Sequence, residues 1–136
     1  MSVLTAEKAE RILSDAPEQH HFRLHMGTNI RNLKELAEAL EIMADRTFFH
    51  HVGDGKNDFS SWIKEVVGDP ELAEKIKKLD SKNAMVKTIR SRLHYLETKP
   101  SEYEILKNDF MRMGINDFAV GALVGFIVGV IIAAVL

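Results

Sequence analysis

The sequence contains no cysteine, which excludes disulfides and thiolate metal sites. It has little proline: Pro17, Pro70 and Pro100 are the only three, and each falls at the edge of a helical pattern. The start, MSVLTAEKAERIL, lacks the basic opening and apolar run of a signal peptide. Charge of one sign is also lacking, because the net charge of −2 gives the chain no bulk attraction to nucleic acid. No internal repeat and no low-complexity tract interrupts the 136 residues. The sharpest absence is local. Residues 118–136, FAVGALVGFIVGVIIAAVL, carry no charge, no amide and no proline.

That run organises the reading of the chain. As a helix rising about 1.5 Å per residue it spans roughly 28 Å, close to the ~30 Å hydrocarbon core of a bilayer. A single transmembrane helix is therefore expected over 118–136, with a small helical domain ahead of it. With no signal ahead of the span, the pattern describes a tail anchor whose bulk stays on the side of synthesis. Lys107 and Arg112 before the span agree with the positive-inside rule, although Asp109 and Asp117 dilute them. Gly121, Gly125 and Gly129 recur every four residues and Ala133 extends the row. Small residues at this spacing let helix backbones approach closely in lipid, so self-association or docking on another membrane protein is expected of that face.

Before the span, the expected fold is all-α or nearly so. The chain divides into a lead-in helix at 1–19, a small helical domain at 20–99 and a juxtamembrane helix at 100–117. Leu4, Lys8 and Ile12 share a face of the lead-in, with docking on the domain left open. Residues 20–26, HHFRLHM, alternate as a strand does but offer no evident partner, and Gly27-Thr28-Asn29 supplies a turn and a possible N-cap. Ile30, Leu33, Leu36, Leu40 and Met43 then form an apolar helical stripe. Asp45 and Asp58 are positioned to cap two following helices, with Val52-Gly53-Asp54-Gly55 as a loop between them. Gly68 ends the second, and Asp69-Pro70 starts another as N-cap and first helical residue. Inward positions follow at Leu72, Ile76 and Leu79, then at Met85, Ile89, Leu93 and Leu96. Ser101 and Glu104 match a capping box.

Candidate chemistry is sparse. His20, His21, His25, His50 and His51 can be imagined around a metal with Asp54 or Asp58. Adjacent histidines on a helix diverge by about 100°, however, and no H-E-x-x-H occurs, so no metal, cofactor or catalytic residue is expected. Gly53-Asp54-Gly55-Lys56 lacks the further glycines and the Ser/Thr of a phosphate loop. A basic stretch stands out instead. Lys75, Lys77, Lys78, Lys82, Lys87, Arg90, Arg92 and Lys99 face only three acids between 74 and 99.

Phe22, Gly27, Ile30, Leu33, Glu35, Leu36, Leu40 and His51-Val52 carry a resemblance whose specific part is Lys56-Asn57-Asp58-Phe59 with Trp62-Ile63, continuing at Leu72-Ala73. On these residues, 22–97 resembles an uncharacterised, mainly archaeal domain-of-unknown-function family. The resemblance implies a compact helical domain and carries no activity. Phe59, Trp62 and Ile63 read as core anchors, or as a partner hot spot where exposed. The expected function is a membrane scaffold or adaptor, not an enzyme. It would display a cytoplasmic helical interaction domain, with a second copy or another membrane protein as partner. The alternative is a membrane-tethered binder of anionic headgroups or nucleic acid through the basic surface of residues 75–92, and a small metal-dependent enzyme is a third reading.

Overall fold

Thr5, Asn32, Asn57 and Asp69 each stand just ahead of a helix, where their side-chain oxygens accept the backbone N–H three residues on. Each satisfies one amide that a helix start leaves without an internal partner. The helices they open are α1 (Ala6–Leu13), α2 (Leu33–Ile42), α4 (Asp58–Trp62) and α5 (Pro70–Lys77). Two more, α3 (Asp45–His51) and α6 (Lys82–Thr98), complete a mostly helical domain. This computed structural model describes residues 4–25, 27–98, 111–112, 126 and 128–135.

The chain separates into two units, Met1–Lys99 and Pro100–Leu136. In the first, α6 is the long element against which α1, α2 and α5 pack. Met85 and Ile89 on α6 are fully buried, as are Leu36 and Ala37 on α2 and Ile76 on α5. The apolar stripe expected from Ile30 to Met43 is buried throughout. The lead-in docks: Ile12 is 1% exposed and Ala9 8%, within the same apolar cluster as α2 and α6. The face used is Ala9 and Ile12, with Leu4 half-buried at its edge.

Several local expectations are corrected. The extended segment has a partner: β1 (Phe22–Arg23) pairs antiparallel with β2 (Asn29–Ile30), Phe22 opposite Ile30. Asn29 is thus a strand residue, and Asn32 is the cap of α2. The Val52–Gly55 loop is a second hairpin, β3 (Val52–Gly53) against β4 (Lys56–Asn57). Its two turn residues, Asp54 and Gly55, have φ of 49° and 78°. An Asp-Gly turn with both residues at positive φ matches the right-handed twist of paired strands, which is why this dipeptide closes so short a hairpin. Asn57, one residue earlier than expected, caps α4, and Asp58 is drawn to His51 instead. Asp45 caps nothing by its side chain; it pairs with Lys82 at 2.6 Å.

After α4 the helix widens into a π-helical turn at Ile63–Val67. Gly68 stops it at φ 80°, its N–H reaching back to the Ile63 carbonyl at 2.9 Å. Asp69 and Pro70 then open α5 as the sequence predicts.

Among the described residues no helix is long and apolar enough to cross a membrane. The expected span 118–136 lies for the most part outside the described residues, as do Gly121 and Gly125 of the Gly row and the Ser101–Glu104 capping box. The part of that run described at 128–135 is helical, and Gly129 and Ala133 within it are exposed.

Candidate functional site

The KNDFSSWI run is used side chain by side chain. Asn57 caps α4 through its oxygen while its Nδ2 donates to the Ile76 carbonyl at 3.0 Å. Ser60 Oγ donates to the Ala73 carbonyl at 2.8 Å, so two buried polar groups of this run hold α5. Ser61 Oγ turns back to the Asn57 carbonyl. Trp62 is buried, and its indole N–H donates to the His20 carbonyl at 2.8 Å, tying α4 to the short 3₁₀ turn Glu18–His20. Phe59 and Ile63 are fully buried. Phe59, Trp62 and Ile63 are therefore core, and the run acts as a staple between three parts of the chain. Among the described residues every buried side-chain nitrogen and oxygen has a partner, as the desolvation cost of an orphan demands.

Three of the histidines gather, with the His50 ring lying against His25 and edge-on to His51 at 5.0 Å. His51 is buried, with Nε2 accepting the His25 backbone N–H at 2.9 Å. Its proton is therefore on Nδ1, which donates to Asp58 at 3.0 Å. Both ring nitrogens are spent on holding the two hairpins together, and the ring packs against Phe22 and Phe59. His25 and His50 stack with centroids 3.8 Å apart and ring planes 12° from parallel. His21 Nε2 lies 3.0 Å from the Ala16 carbonyl. Among the described residues no group of three or more potential ligands can hold a metal ion. Asp54 sits apart in its turn.

The basic residues divide into structural and available. Arg92 is structural: it forms a forked pair with Asp69, at 2.7 and 3.1 Å, and reaches Glu71 at 3.3 Å. Asp69 is 1% exposed and also caps α5, so one carboxylate locks the start of α5 to the middle of α6. Burial works against the Arg92 charge, but hydrogen bonding to Asp69 and the charges of Asp69 and Glu71 hold its pKa above the ordinary value. Lys82 donates to the Met43 carbonyl and pairs with Asp45, and Arg90 pairs with Glu41 of α2 at 2.8 Å. Lys75 shares Glu71 with Arg92. Lys77, Lys78 and Lys87 are exposed.

Lys75, Lys87 and Arg92 border one groove of about 460 Å³ between α5 and α6. Leu72 forms its apolar floor, and Glu71, Thr88, Ser91 and Tyr95 complete the walls. Tyr95 is 46% exposed, and the Arg92 guanidinium lies 5.6 Å from its ring centre. The charge run pointed to the lysines but not to Glu71, Thr88, Ser91 or Tyr95. Their signal was the helical spacing Lys87, Thr88, Ser91, Tyr95, which places them on one side of α6. A second cleft, of about 480 Å³, lies between Arg11, Asp15, Pro17 and His20 on one side and Glu65–Val67 on the other. It sets Arg11 and His20 against Asp15 and Glu65, which favours neither sign of ligand.

A family model described as a family of unknown function (DUF5752) matches residues 18–98. The matched stretch begins at the 3₁₀ turn that receives Trp62 and ends at the last residue of α6, so it holds the staple and the groove but not α1. No curated protein and no solved structure matches the chain.

Proposed function

The chain belongs to the DUF5752 family of unknown function, and on that premise we propose that it is a membrane-tethered adaptor: a helical interaction domain held at a bilayer by the run 118–136. The observation that carries this reading lies in the described part of the run. Phe126, Val128, Val130, Ile131, Ile132 and Val135 are each between 48% and 80% exposed. At about 100° per residue they leave one sector of the helix, which Gly129 and Ala133 fill, so that residues 128–135 are apolar all round, as a membrane span or a buried core element is. Apolar side chains this exposed suit lipid or a partner helix as their surroundings.

An adaptor rather than an enzyme is supported by the commitments inside the domain. The His51–Asp58 pair has no free ring nitrogen, and Ser60 and Ser61 donate to backbone carbonyls. The Gly row, with Gly121, Gly125, Gly129 and Ala133, supplies the contact between copies or with another membrane protein. The side of synthesis is where the domain would stand.

The test is flotation with phosphatidylcholine vesicles followed by alkaline carbonate extraction. The full chain should float and resist extraction, while the chain lacking 118–136 should stay in solution and unfold cooperatively. A full chain that sediments free of vesicles would overturn the tether. For the Gly row, Gly125→Ile should abolish crosslinking between copies without loss of insertion, and Ile127→Leu should change neither. Equal crosslinking of wild type and Gly125→Ile would reduce the span to a simple anchor.

A further inference from the structure

We propose that the groove between α5 and α6 seats the phosphate of an anionic phospholipid headgroup, with Lys87 and Lys75 as its contacts. The inference rests on the tether reading and narrows the basic stretch to one site. Of the seven cations in residues 75–92, Lys82 and Arg90 are turned to Asp45 and Glu41, away from this purpose. In the groove, Arg92 is held by Asp69 and shares Glu71 with Lys75, while Lys87 pairs with no acid among the described residues. With Asp69 and Glu71 set against Lys75, Lys87 and Arg92, the positive charge left over is that of Lys87. Ser91 borders the same space.

Size and cation number favour a headgroup over nucleic acid. A sequence-independent hold on a nucleic acid draws on many phosphate contacts, typically about 6–10 for tight binders. Lys87, Lys75 released from Glu71, and the exposed Lys77 and Lys78 fall short of that, but Lys87 with Lys75 suits one phosphate in a space of about 460 Å³. Tyr95 on the wall adds the amphipathic ring that favours the headgroup level. The tether supplies the rest. Residues 100–117 join α6 to the span, and 18 residues reach at most about 60 Å when extended. Binding within one tethered molecule meets ligand at about millimolar effective concentration, where a weak site fills.

Lysine acetylation of the full chain, read residue by residue by mass spectrometry, tests this in phosphatidylcholine vesicles with and without phosphatidylserine. Labelling of Lys75 and Lys87 should fall about fivefold when phosphatidylserine is present, the change that one lysine–headgroup contact supports. Lys34 and Lys64, exposed elsewhere on the domain, should label equally in both. Added salt should reverse the protection, and Lys87→Ser should remove it at Lys75. Equal labelling in both vesicles, or equal protection of Lys34 and Lys64, would overturn the site. So would protection by an RNA oligonucleotide on neutral vesicles with none from phosphatidylserine. Should the chain fail to join neutral vesicles, the tether has failed. The groove is then judged by the same footprint with soluble short-chain phosphatidylserine, where protection of Lys75 and Lys87 supports it and its absence ends it.

Discussion

Two residues hold more of this domain than their neighbours do. Trp62 fills the space beside Phe22, with ring centres 5.9 Å apart, and sends its N–H to the His20 carbonyl. Trp62→Ala should cost about 3–5 kcal/mol, since a cavity is left as well as transfer energy lost. Trp62→Phe keeps most of the volume and should cost much less, with about 1 kcal/mol from the hydrogen bond. Urea unfolding of both variants would separate the two terms; equal losses would mean that the cavity is not the cause. Asp69 is the second. Asp69→Ala removes the cap of α5 and leaves the Arg92 guanidinium, 12% exposed, with only the Glu71 contact at 3.3 Å. Breaking such a pair from one side costs about 3–5 kcal/mol. The double variant Asp69→Ala with Arg92→Met should recover part of that loss, because the poorly compensated buried charge goes with the arginine. No recovery in the same unfolding experiment would show the cap, not the ion pair, to be the main contribution.

At the scale of elements, the joint between α4 and α5 depends on one backbone conformation. The π-helical turn at Ile63–Val67 ends at Gly68, whose φ of 80° a side chain adopts only at a cost. Gly68→Ala should destabilise by about 1–2 kcal/mol, although the added methyl group would meet nothing closer than the Arg11 guanidinium at 3.8 Å. The cost is in φ and not in packing, so Gly68→Asn, which tolerates this region better, should lose less than Gly68→Ala. Thermal melting of the two variants checks the order. The hairpins tell a similar story about legibility. Asp54-Gly55 is a hairpin signal in its own right, yet strands of two residues leave no alternating pattern to read. Phe22 opposite Ile30 is a pairing across a loop, visible only once both are buried against the same core.

At the scale of the whole molecule, the acid limb of stability follows from two surface carboxylates. Hydrogen bonds from the Arg31 side chain and backbone hold the Glu35 pKa below its ordinary value. A hydrogen bond from Lys75 and the Arg92 charge do the same for Glu71. A lowered carboxyl pKa contributes stability that is complete above the unfolded value, about 4.3, and is lost as pH falls through the folded one. The melting temperature should therefore drop below about pH 4.3, and Glu35→Gln should flatten that drop while lowering the plateau slightly. An unchanged slope in the variant would assign the acid limb to other groups.

The sequence by itself determined the helical class of the domain, the inward stripes of α2, α5 and α6, the Asp69-Pro70 start and the Gly68 stop. Each of these follows from local geometry: a period of 3.6, a side chain that reaches its own helix end, a backbone angle that glycine permits. It also supplied the uncharged run from which the membrane reading starts. Only the tertiary structure decided which polar residues were free. Asp58 and Asp45 look like caps from their neighbours in the chain, but His51 and Lys82, 7 and 37 residues away, claim them at 3.0 and 2.6 Å. The seven cations from Lys75 to Arg92 look like one surface for the same reason. Pairing with Asp69, Glu41 and Asp45 is a contact between elements, and no periodicity in one helix reports where another helix will place its carboxylates.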